Sequence, residues 1–299
     1  MPPASQPLLV DLSDNALLAI TGDDATAFLQ GQLTNDVAAL GPGESQWTGW
    51  CSPKGRLLAS LLLIKRGDGY LAMLPGELAP AIAKRLGMFV LRSKVKIADV
   101  SAEQARYGLV GPGAALAAQQ VGGPGIFSVA LGPELQLLIG PTGDPLIESW
   151  RANVAAGRAQ DWTLALIHAG IPTIVTATQD EFVPQMANFD LIGGVSFRKG
   201  CYTGQEIVAR TQYRGILKKR MALAHVDGAT PTPGQSVYSP AFGEQSAGTV
   251  VSAAVAPEGG YDVLVVAQIQ SLREGNLRLG SPDGAPLQIR RHLAEAAAS

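Results

Sequence analysis

The chain has 299 residues, and its 23 Lys plus Arg against 25 Asp plus Glu give a formal net charge of −2. Because 46% of its residues are hydrophobic and only 16% are charged, the composition excludes an intrinsically disordered chain. A chain of this length buries roughly three quarters of its unfolded surface, so it needs neither disulfide nor metal to hold a core. Its 35 Gly and 20 Pro indicate many turns between short strands rather than a helical bundle.

The two cysteines, Cys51 and Cys201, lie far apart and belong to no CxxC motif, which excludes a local zinc tetrad. The first residues show no basic and apolar export signal. The longest apolar run, residues 57–64, is shorter than the roughly 20 residues that a membrane-spanning helix needs. We therefore expect a cytoplasmic protein with reduced thiols and no membrane association.

In chain order, the sequence first predicts two short strands over residues 8–20 and a helix capped by Asp23 or Asp24. Residues 44–74 predict β structure around the turn SPKGR, followed by a helix at ELAPAIAKRL and a strand at KVKIADV. Residues 105–150 predict the same alternation of strands and helices. The strands are RYGLVG, FSVAL and LQLLI, and the helices are AALAAQQ and LIESWRANV. Two strand–helix–strand halves indicate an α+β sandwich of the ferredoxin-like kind.

The pattern changes in the second half of the chain. Residues 161–170 predict a helix that ends at Gly170 before Pro172. After residue 216, strands alternate with Pro and Gly turns, as in KKRMALAHV, GTVVSAAVA and YDVLVVAQI. This texture predicts an all-β C-terminal domain, either a small barrel or a jelly roll.

Residues 198–220 form a basic segment with seven cationic side chains and one acid, Glu206, so the remainder of the chain has a net charge of −8. Such a patch can hold a carboxylate or a phosphate, although a solvated basic face is the structural alternative. Its cations are Arg198, Lys199, Arg210, Arg214, Lys218, Lys219 and Arg220.

Within this segment, Thr203 and Glu206 have the spacing of a capping box, which predicts a helix from Thr203 to about Arg214. Glu206, Arg210 and Arg214 then share one helix face. Cys201 precedes the cap, and the helix dipole together with Lys199 and Arg198 favours its thiolate, a nucleophile and soft metal ligand.

Each cysteine also has a plainer interpretation. A buried structural cysteine is the alternative for Cys201, and core packing is the stronger interpretation for Cys51. A Cys/His dyad would need His168 to approach through the fold, and a single histidine on an apolar helix is more often structural.

The motif KGCYTGQE at 199–206 resembles the K-G-C-Y/F-x-G-Q-E signature of the YgfZ family, folate-binding proteins related to the T-protein (aminomethyltransferase) of the glycine cleavage system. Three shorter motifs support the resemblance: GQLTND at 31–36, Cys51 with KGR at 54–56, and PQ at 184–185 with Asn188 before GG at 193–194. The resemblance runs from about residue 10 to 220.

This resemblance implies an α+β fold with three domains in a T-protein-like arrangement around a central cavity. The expected domains are a discontinuous folate-binding domain over 1–48 and 150–215, an inserted ferredoxin-like domain over 49–149, and a C-terminal β-barrel over 216–299. It also implies tetrahydrofolate or a derivative as cofactor. The implied role is assembly or repair of iron–sulfur enzymes, such as a radical-SAM tRNA methylthiolase, with an indirect effect on tRNA modification.

The implied functional motif comprises Lys199, Gly200, Cys201, Tyr202, Gly204, Gln205 and Glu206. Cys201 is its essential thiol and a candidate ligand for a transient iron–sulfur cluster. The first candidate folate contact is Trp162, which matches a folate-contacting tryptophan of the family. The amides of Gln185 and Asn188 suit the pterin edge. The candidate cations for the glutamate tail are Lys199, Arg210 and Arg214. Core packing for the tryptophan and loop hydrogen bonds for the amides are the alternatives.

Three departures bear on function. Ala59 and Ser60 stand where the T-protein carries paired aspartates, His168 stands near a family glutamate, and Asn15 replaces a second folate-contacting tryptophan. A folate-dependent aminomethyl- or methyltransferase would lack its acid/base carboxylate, so we favour an accessory factor over this alternative. An RNA-binding module is a third hypothesis, which the negative net charge and the absence of an RRM or KH motif disfavour.

Overall fold

Three β-sheets form the framework of the computed structural model, which describes residues 6–213, 215 and 217–293. In chain order the strands and helices are β1 (Leu8–Asp11), β2 (Asn15–Thr21), α1 (Ala25–Gln32), β3 (Ser45–Cys51), β4 (Leu57–Arg66), β5 (Gly69–Pro75), α2 (Ala79–Gly87), β6 (Lys96–Asp99), β7 (Gln104–Val110), α3 (Ala114–Gln119), β8 (Phe127–Gly132), β9 (Leu135–Pro141), α4 (Pro145–Arg151), β10 (Ala155–Ala156), α5 (Ala159–Ala169), α6 (Gln205–Tyr213), β11 (Lys219–Val226), β12 (Ser236–Tyr238), β13 (Gly248–Val255), β14 (Tyr261–Gln268), α7 (Ile269–Glu274), β15 (Arg278–Leu279) and β16 (Leu287–Arg291).

The first sheet is antiparallel and has the strand order β3-β4-β5-β2-β6. Helices α1 and α2 cover one of its faces, because the apolar side of each helix can be buried only against that face. Phe28 and Leu29 of α1 and Ile82 and Leu86 of α2 share a core with Trp50. This arrangement places both helices on one side of the sheet that carries the Ser52–Arg56 turn.

The second sheet has the order β10-β1-β7-β9-β8, with α3 and α4 on its outer face. Its inner face packs against the first sheet, and Leu62, Leu137 and Leu166 lie in the core between them. Residues 49–149 were expected to form one ferredoxin-like unit. The strands of that segment are instead divided, since β3–β6 join β2 and β7–β9 join β1. The reason is that each sheet takes one strand from the first 21 residues.

The third sheet contains the C-terminal strands in the order β15-β12-β13-β14-β11-β16. It curls as a half-barrel around an aliphatic core that includes Val250, Val263 and Val265. Its other face packs on α5, on α6 and on residues 171–197, with Phe182 and Phe189 in that core. The predicted all-β character of the C-terminal part is confirmed apart from the short helix α7. A small barrel or jelly roll was predicted, and the structure has this single curled sheet.

Several predicted helices are present with small shifts at their ends. Helix α5 covers 159–169 and ends at Gly170, whose φ of 72° is the left-handed conformation expected of a C-terminal glycine. In the described part of the chain, no helix combines the length and the apolar character needed to cross a membrane. Apart from the division of residues 49–149 between two sheets, the expected domain boundaries remain a prediction.

Candidate functional site

The two cysteines occupy opposite environments. Cys201 is a free, exposed thiol in the loop before α6, whereas Cys51 is free and buried at the end of β3. Burial, and to a lesser degree the Asp180 carboxylate, raises the pKa of Cys51 to about 12. Cys51 is therefore a protonated core thiol at neutral pH, as its core interpretation predicts, and Cys201 is the accessible sulfur.

Two glycines fix the position of the Cys201 loop. Gly204 has a φ of 82°, and a Cβ on it would lie 2.4 Å from the Ser52 carbonyl oxygen and 2.8 Å from the Gly55 Cα. Gly55 has a φ of 68°, and a Cβ there would lie 2.9 Å from the Gly204 oxygen. The backbone of the KGR turn (54–56) thus packs directly against the backbone of the KGCYTGQE motif (199–206) at Gly204. Only glycine permits so close an approach.

This close approach changes the predicted start of the helix. Helix α6 begins at Gln205, so the residue before its first turn is Gly204 rather than Thr203. Thr203 lies two residues before the first residue of α6, so it is not the cap, and the predicted capping box is wrong. The left-handed Gly204 that the turn contact requires places Thr203 outside the cap position.

Lys199 is buried and holds the end of α1. Its ammonium donates to the backbone carbonyls of Gln30 at 2.6 Å, Leu33 at 2.6 Å and Asn35 at 2.9 Å. Burial lowers the pKa of Lys199 to about 8, with a smaller opposing effect from the Asp36 carboxylate. All three donors are used, so in this structure Lys199 serves as a helix C-terminal cap rather than as a free host for a glutamate tail.

Tyr202 closes the inner side of the same loop. Its ring is buried, with the Lys199 ammonium 5.1 Å from the ring centroid. Burial, followed by the proximity of Cys51, raises the pKa of the Tyr202 hydroxyl. On either side of the exposed thiol, two residues of the motif therefore point into the protein and anchor it.

The two predicted amide contacts differ in what they leave available. Asn188 is committed to the protein, since its Nδ2 donates to the Met221 carbonyl at 2.9 Å. Gln185 donates from Nε2 to the Val208 carbonyl of α6 at 2.8 Å, but its buried Oε1 has no hydrogen-bond partner among the described residues. A buried acceptor without a partner costs free energy, so Gln185 is the better candidate for a ligand contact.

The other predicted folate contacts are placed less favourably. Trp162 is only 4% exposed and lies in the core between the two five-stranded sheets. A Cβ on Gly108 of β7 would lie 2.2 Å from its ring, so one ring face packs on that backbone. Arg210 and Glu206 are exposed on α6, and Gln205 begins this helix. Arg214 lies outside the described residues.

The positions that match the T-protein aspartates are buried and carry no carboxylate. Ala59 is in the core of the first sheet, and the Ser60 hydroxyl accepts a hydrogen bond from the Ile174 N–H at 2.9 Å. Ser60 therefore connects β4 to the segment after α5. This arrangement disfavours the transferase alternative, because it supplies no acid/base group at that point.

Two sets of contacts near the Cys201 loop are not predicted by the sequence. The Thr34 hydroxyl donates to the Gly194 carbonyl at 2.7 Å, and Asn35 Nδ2 donates to the Gly193 carbonyl at 2.7 Å. The GQLTND motif thus holds the Gly193–Gly194 turn that leads into the signature. Both motifs belong to the family resemblance, and this shared membership was the sequence signal that could have indicated the contact. Arg220, counted in the basic segment, is instead paired with Asp190 at 2.7 Å.

His168 is paired with an aspartate on the C-terminal sheet. Its Nε2 lies 2.6 Å from Asp262, a carboxylate that also contacts His225 Nδ1 at 2.8 Å. These contacts connect α5 to strands β11 and β14. The structural interpretation of His168 is therefore the one that fits.

Comparisons with known proteins agree with this architecture. The family described as GCVT N-terminal domain matches residues 5–124. Two proteins named tRNA-modifying protein YgfZ are similar: one from Enterobacter sp. (strain 638), 34% identical over 86% of this chain and 84% of that protein, and one from Serratia proteamaculans (strain 568), 31% identical over 94% and 91%. The crystal structure of aminomethyltransferase T from Bartonella henselae has a TM-score of 0.78 and 17% identity over 96% of this chain and 86% of that one, which shows a shared fold.

Proposed function

The chain belongs to the YgfZ family of tRNA-modifying proteins, and from this membership we propose that it is a folate-binding accessory protein that supports the assembly or repair of iron–sulfur enzymes through Cys201. Its clients include a radical-SAM enzyme that methylthiolates tRNA, so its effect on tRNA is indirect. The observation that carries the proposal is one exposed thiol on a loop that is anchored on both sides.

The anchoring matters because a thiol that acts on a partner must be both reachable and held in place. Lys199 and Tyr202 are buried on either side of Cys201, and Gly204 is locked against the Ser52–Gly55 turn. An iron–sulfur cluster usually needs four thiolates, and Cys51 is buried and protonated. Cys201 would therefore act as a single thiolate ligand or redox thiol, with the remaining ligands supplied by the client enzyme.

We propose that a reduced folate binds beside Gln185, a side chain that is 1% exposed. The pterin edge offers N–H donors, and the buried Gln185 Oε1 is an acceptor without a partner. Arg210, exposed on α6, is the proposed cation for the glutamate tail. Bound folate would supply one-carbon or reducing chemistry, while these side chains would bind and orient it. Trp162 is proposed as a packing residue of the core between the two five-stranded sheets, because it is 4% exposed.

The functional test is Cys201→Ala in cells that lack the natural protein. We expect methylthiolation of tRNA and the activity of other cluster-dependent enzymes to fall to the level of the deletion strain. Tetrahydrofolate binding by the purified variant should be unchanged, which controls for folding. Normal modification at normal protein level would reject the proposal.

The folate assignment is tested by fluorescence titration with tetrahydrofolate. Gln185→Leu should weaken binding about tenfold, since it removes the acceptor and leaves the ligand donors unpaired. Gln179→Leu is the matched control, because Gln179 Nε2 also donates to a backbone carbonyl, that of Leu58 at 2.7 Å. Equal affinities of the two variants would assign Gln185 a structural role only.

A further inference from the structure

The connection from α2 to β6 exposes three large apolar side chains within four residues. Met88 is 61% exposed, Phe89 42% and Leu91 88%, and Leu91 has a φ of 48°, a conformation that such a residue rarely adopts. Isolated apolar side chains are common on protein surfaces, but a contiguous group of this kind is typical of an interaction site.

Phe89 and Leu91 border a groove against α1. The groove has a volume of about 900 Å³ and lies between Ala27 and Phe28 of α1 and the segment 89–93. Its apolar wall is fixed, because the Phe89 ring packs edge-on against Trp50 with the centroids 6.5 Å apart. The rim is also fixed, since the Lys94 N–H donates to the Asp24 carboxylate at 2.7 Å. The groove is therefore a built feature of the fold.

The segment that forms one wall of the groove is rich in exposed cations. Residues 79–98 hold five cations and no acid, and all five are exposed. Asp23 and Asp24 face this segment through Lys94, which leaves a surplus of three positive charges. The cations are Lys84, Arg85, Arg92, Lys94 and Lys96. A ligand that complements this surface has an apolar anchor flanked by carboxylates.

We propose that this groove is a docking site for an acidic segment of a partner protein that inserts an apolar side chain between Phe28 and Leu91. An open groove with one apolar wall accepts apolar anchor residues of a bound segment, as peptide-binding surfaces do. Exposed apolar side chains beside cations are also found at anionic bilayer surfaces, so vesicle binding is included as an outcome of the test.

Helix α1 connects this groove to the Cys201 loop. The first half of α1 lines the groove, and the carbonyls of Gln30 and Leu33 at its other end hold Lys199, two residues before Cys201. A helix of eight residues is about 12 Å long, so a partner seated in the groove lies close to the loop. The identity of the partner as a client enzyme rests on the proposed function, whereas the groove itself does not.

The binding test uses a labelled synthetic peptide with a Leu-Phe pair flanked by Glu and Asp, measured by fluorescence anisotropy. Leu91→Asp should weaken binding about tenfold or more, because it replaces an apolar contact with a repelling charge. Leu116→Asp, at a 64% exposed leucine on α3, is the matched control and should not change it. A second peptide, with Ala in place of the Leu-Phe pair, should bind the wild-type protein weakly. Its affinity should match that of the first peptide for the Leu91→Asp variant.

Equal binding by the two leucine variants, or by the two peptides, would overturn the proposal. Binding of phosphatidylglycerol vesicles that Leu91→Asp abolishes would assign the surface to lipid and overturn it as well. In cells, loss of tRNA methylthiolation in Leu91→Asp but not in Leu116→Asp supports client docking. If Cys201→Ala leaves methylthiolation intact, the proposed function is rejected. The peptide measurement then still decides whether the groove is a docking site.

Discussion

Replacing Gly204 with Ala is expected to lower the free energy of unfolding by about 2–5 kcal/mol. Part of this loss is the cost of a left-handed φ for a residue with a Cβ, since Gly204 has a φ of 82°. The rest is overlap, because the new Cβ would lie 2.4 Å from the Ser52 carbonyl oxygen and 2.8 Å from the Gly55 Cα. Both contacts are with backbone, so no flexible side chain can move aside.

Gly200 offers a matched control in the same loop. A Cβ on Gly200 would meet nothing within 4 Å, and its φ is not in the left-handed range. Gly200→Ala should therefore change stability by no more than about 0.5 kcal/mol. Urea unfolding of both variants gives the comparison. A Gly204→Ala midpoint equal to that of Gly200→Ala would show that the two turns are not in contact as described.

Patterns of local sequence predicted much of the fold. The apolar spacing of ELAPAIAKRL corresponds to α2 at Ala79–Gly87, and the glycine after α5 adopts the conformation expected of it. The exposed position of Cys201 agrees with the interpretation of its loop as a functional one. These predictions succeeded because helix periodicity and glycine conformation depend on neighbouring residues alone.

Contacts between distant residues could not be predicted in this way. The acceptors of Lys199 lie 164 to 169 positions away, and charge counting alone placed its ammonium in a basic patch. Trp162 was assigned to folate, but the glycine opposite its ring, Gly108, is on another strand. Thr203 satisfied the local rule for a cap, and the contact of Gly204 with the Ser52–Gly55 turn overrode it.

Replacing Lys199 with Met should lower the free energy of unfolding by about 3 kcal/mol, because three backbone carbonyls lose their donor. Lys199→Arg should not rescue it, since a planar guanidinium cannot converge on three acceptors as an ammonium does. Lys94→Met is the control, because the exposed Lys94 makes one surface ion pair with Asp23 at 3.1 Å and should lose less than about 1 kcal/mol.

The effect of Lys199→Met should also grow with pH. Burial lowers the pKa of Lys199 from 10.5 to about 8 in the folded protein. Between these two values the unfolded chain binds a proton that the folded chain does not, so this group makes folding more favourable as the pH rises. The Met variant lacks this group, and the difference in unfolding free energy between wild type and variant should widen from pH 8 to 10. The raised pKa of Cys51 lowers the free energy of unfolding as the pH rises above 9. This contribution is the same in both proteins, so it cancels when their unfolding free energies are subtracted. A constant difference over this range would show that Lys199 keeps its proton, and that its three carbonyl contacts outweigh the cost of burial.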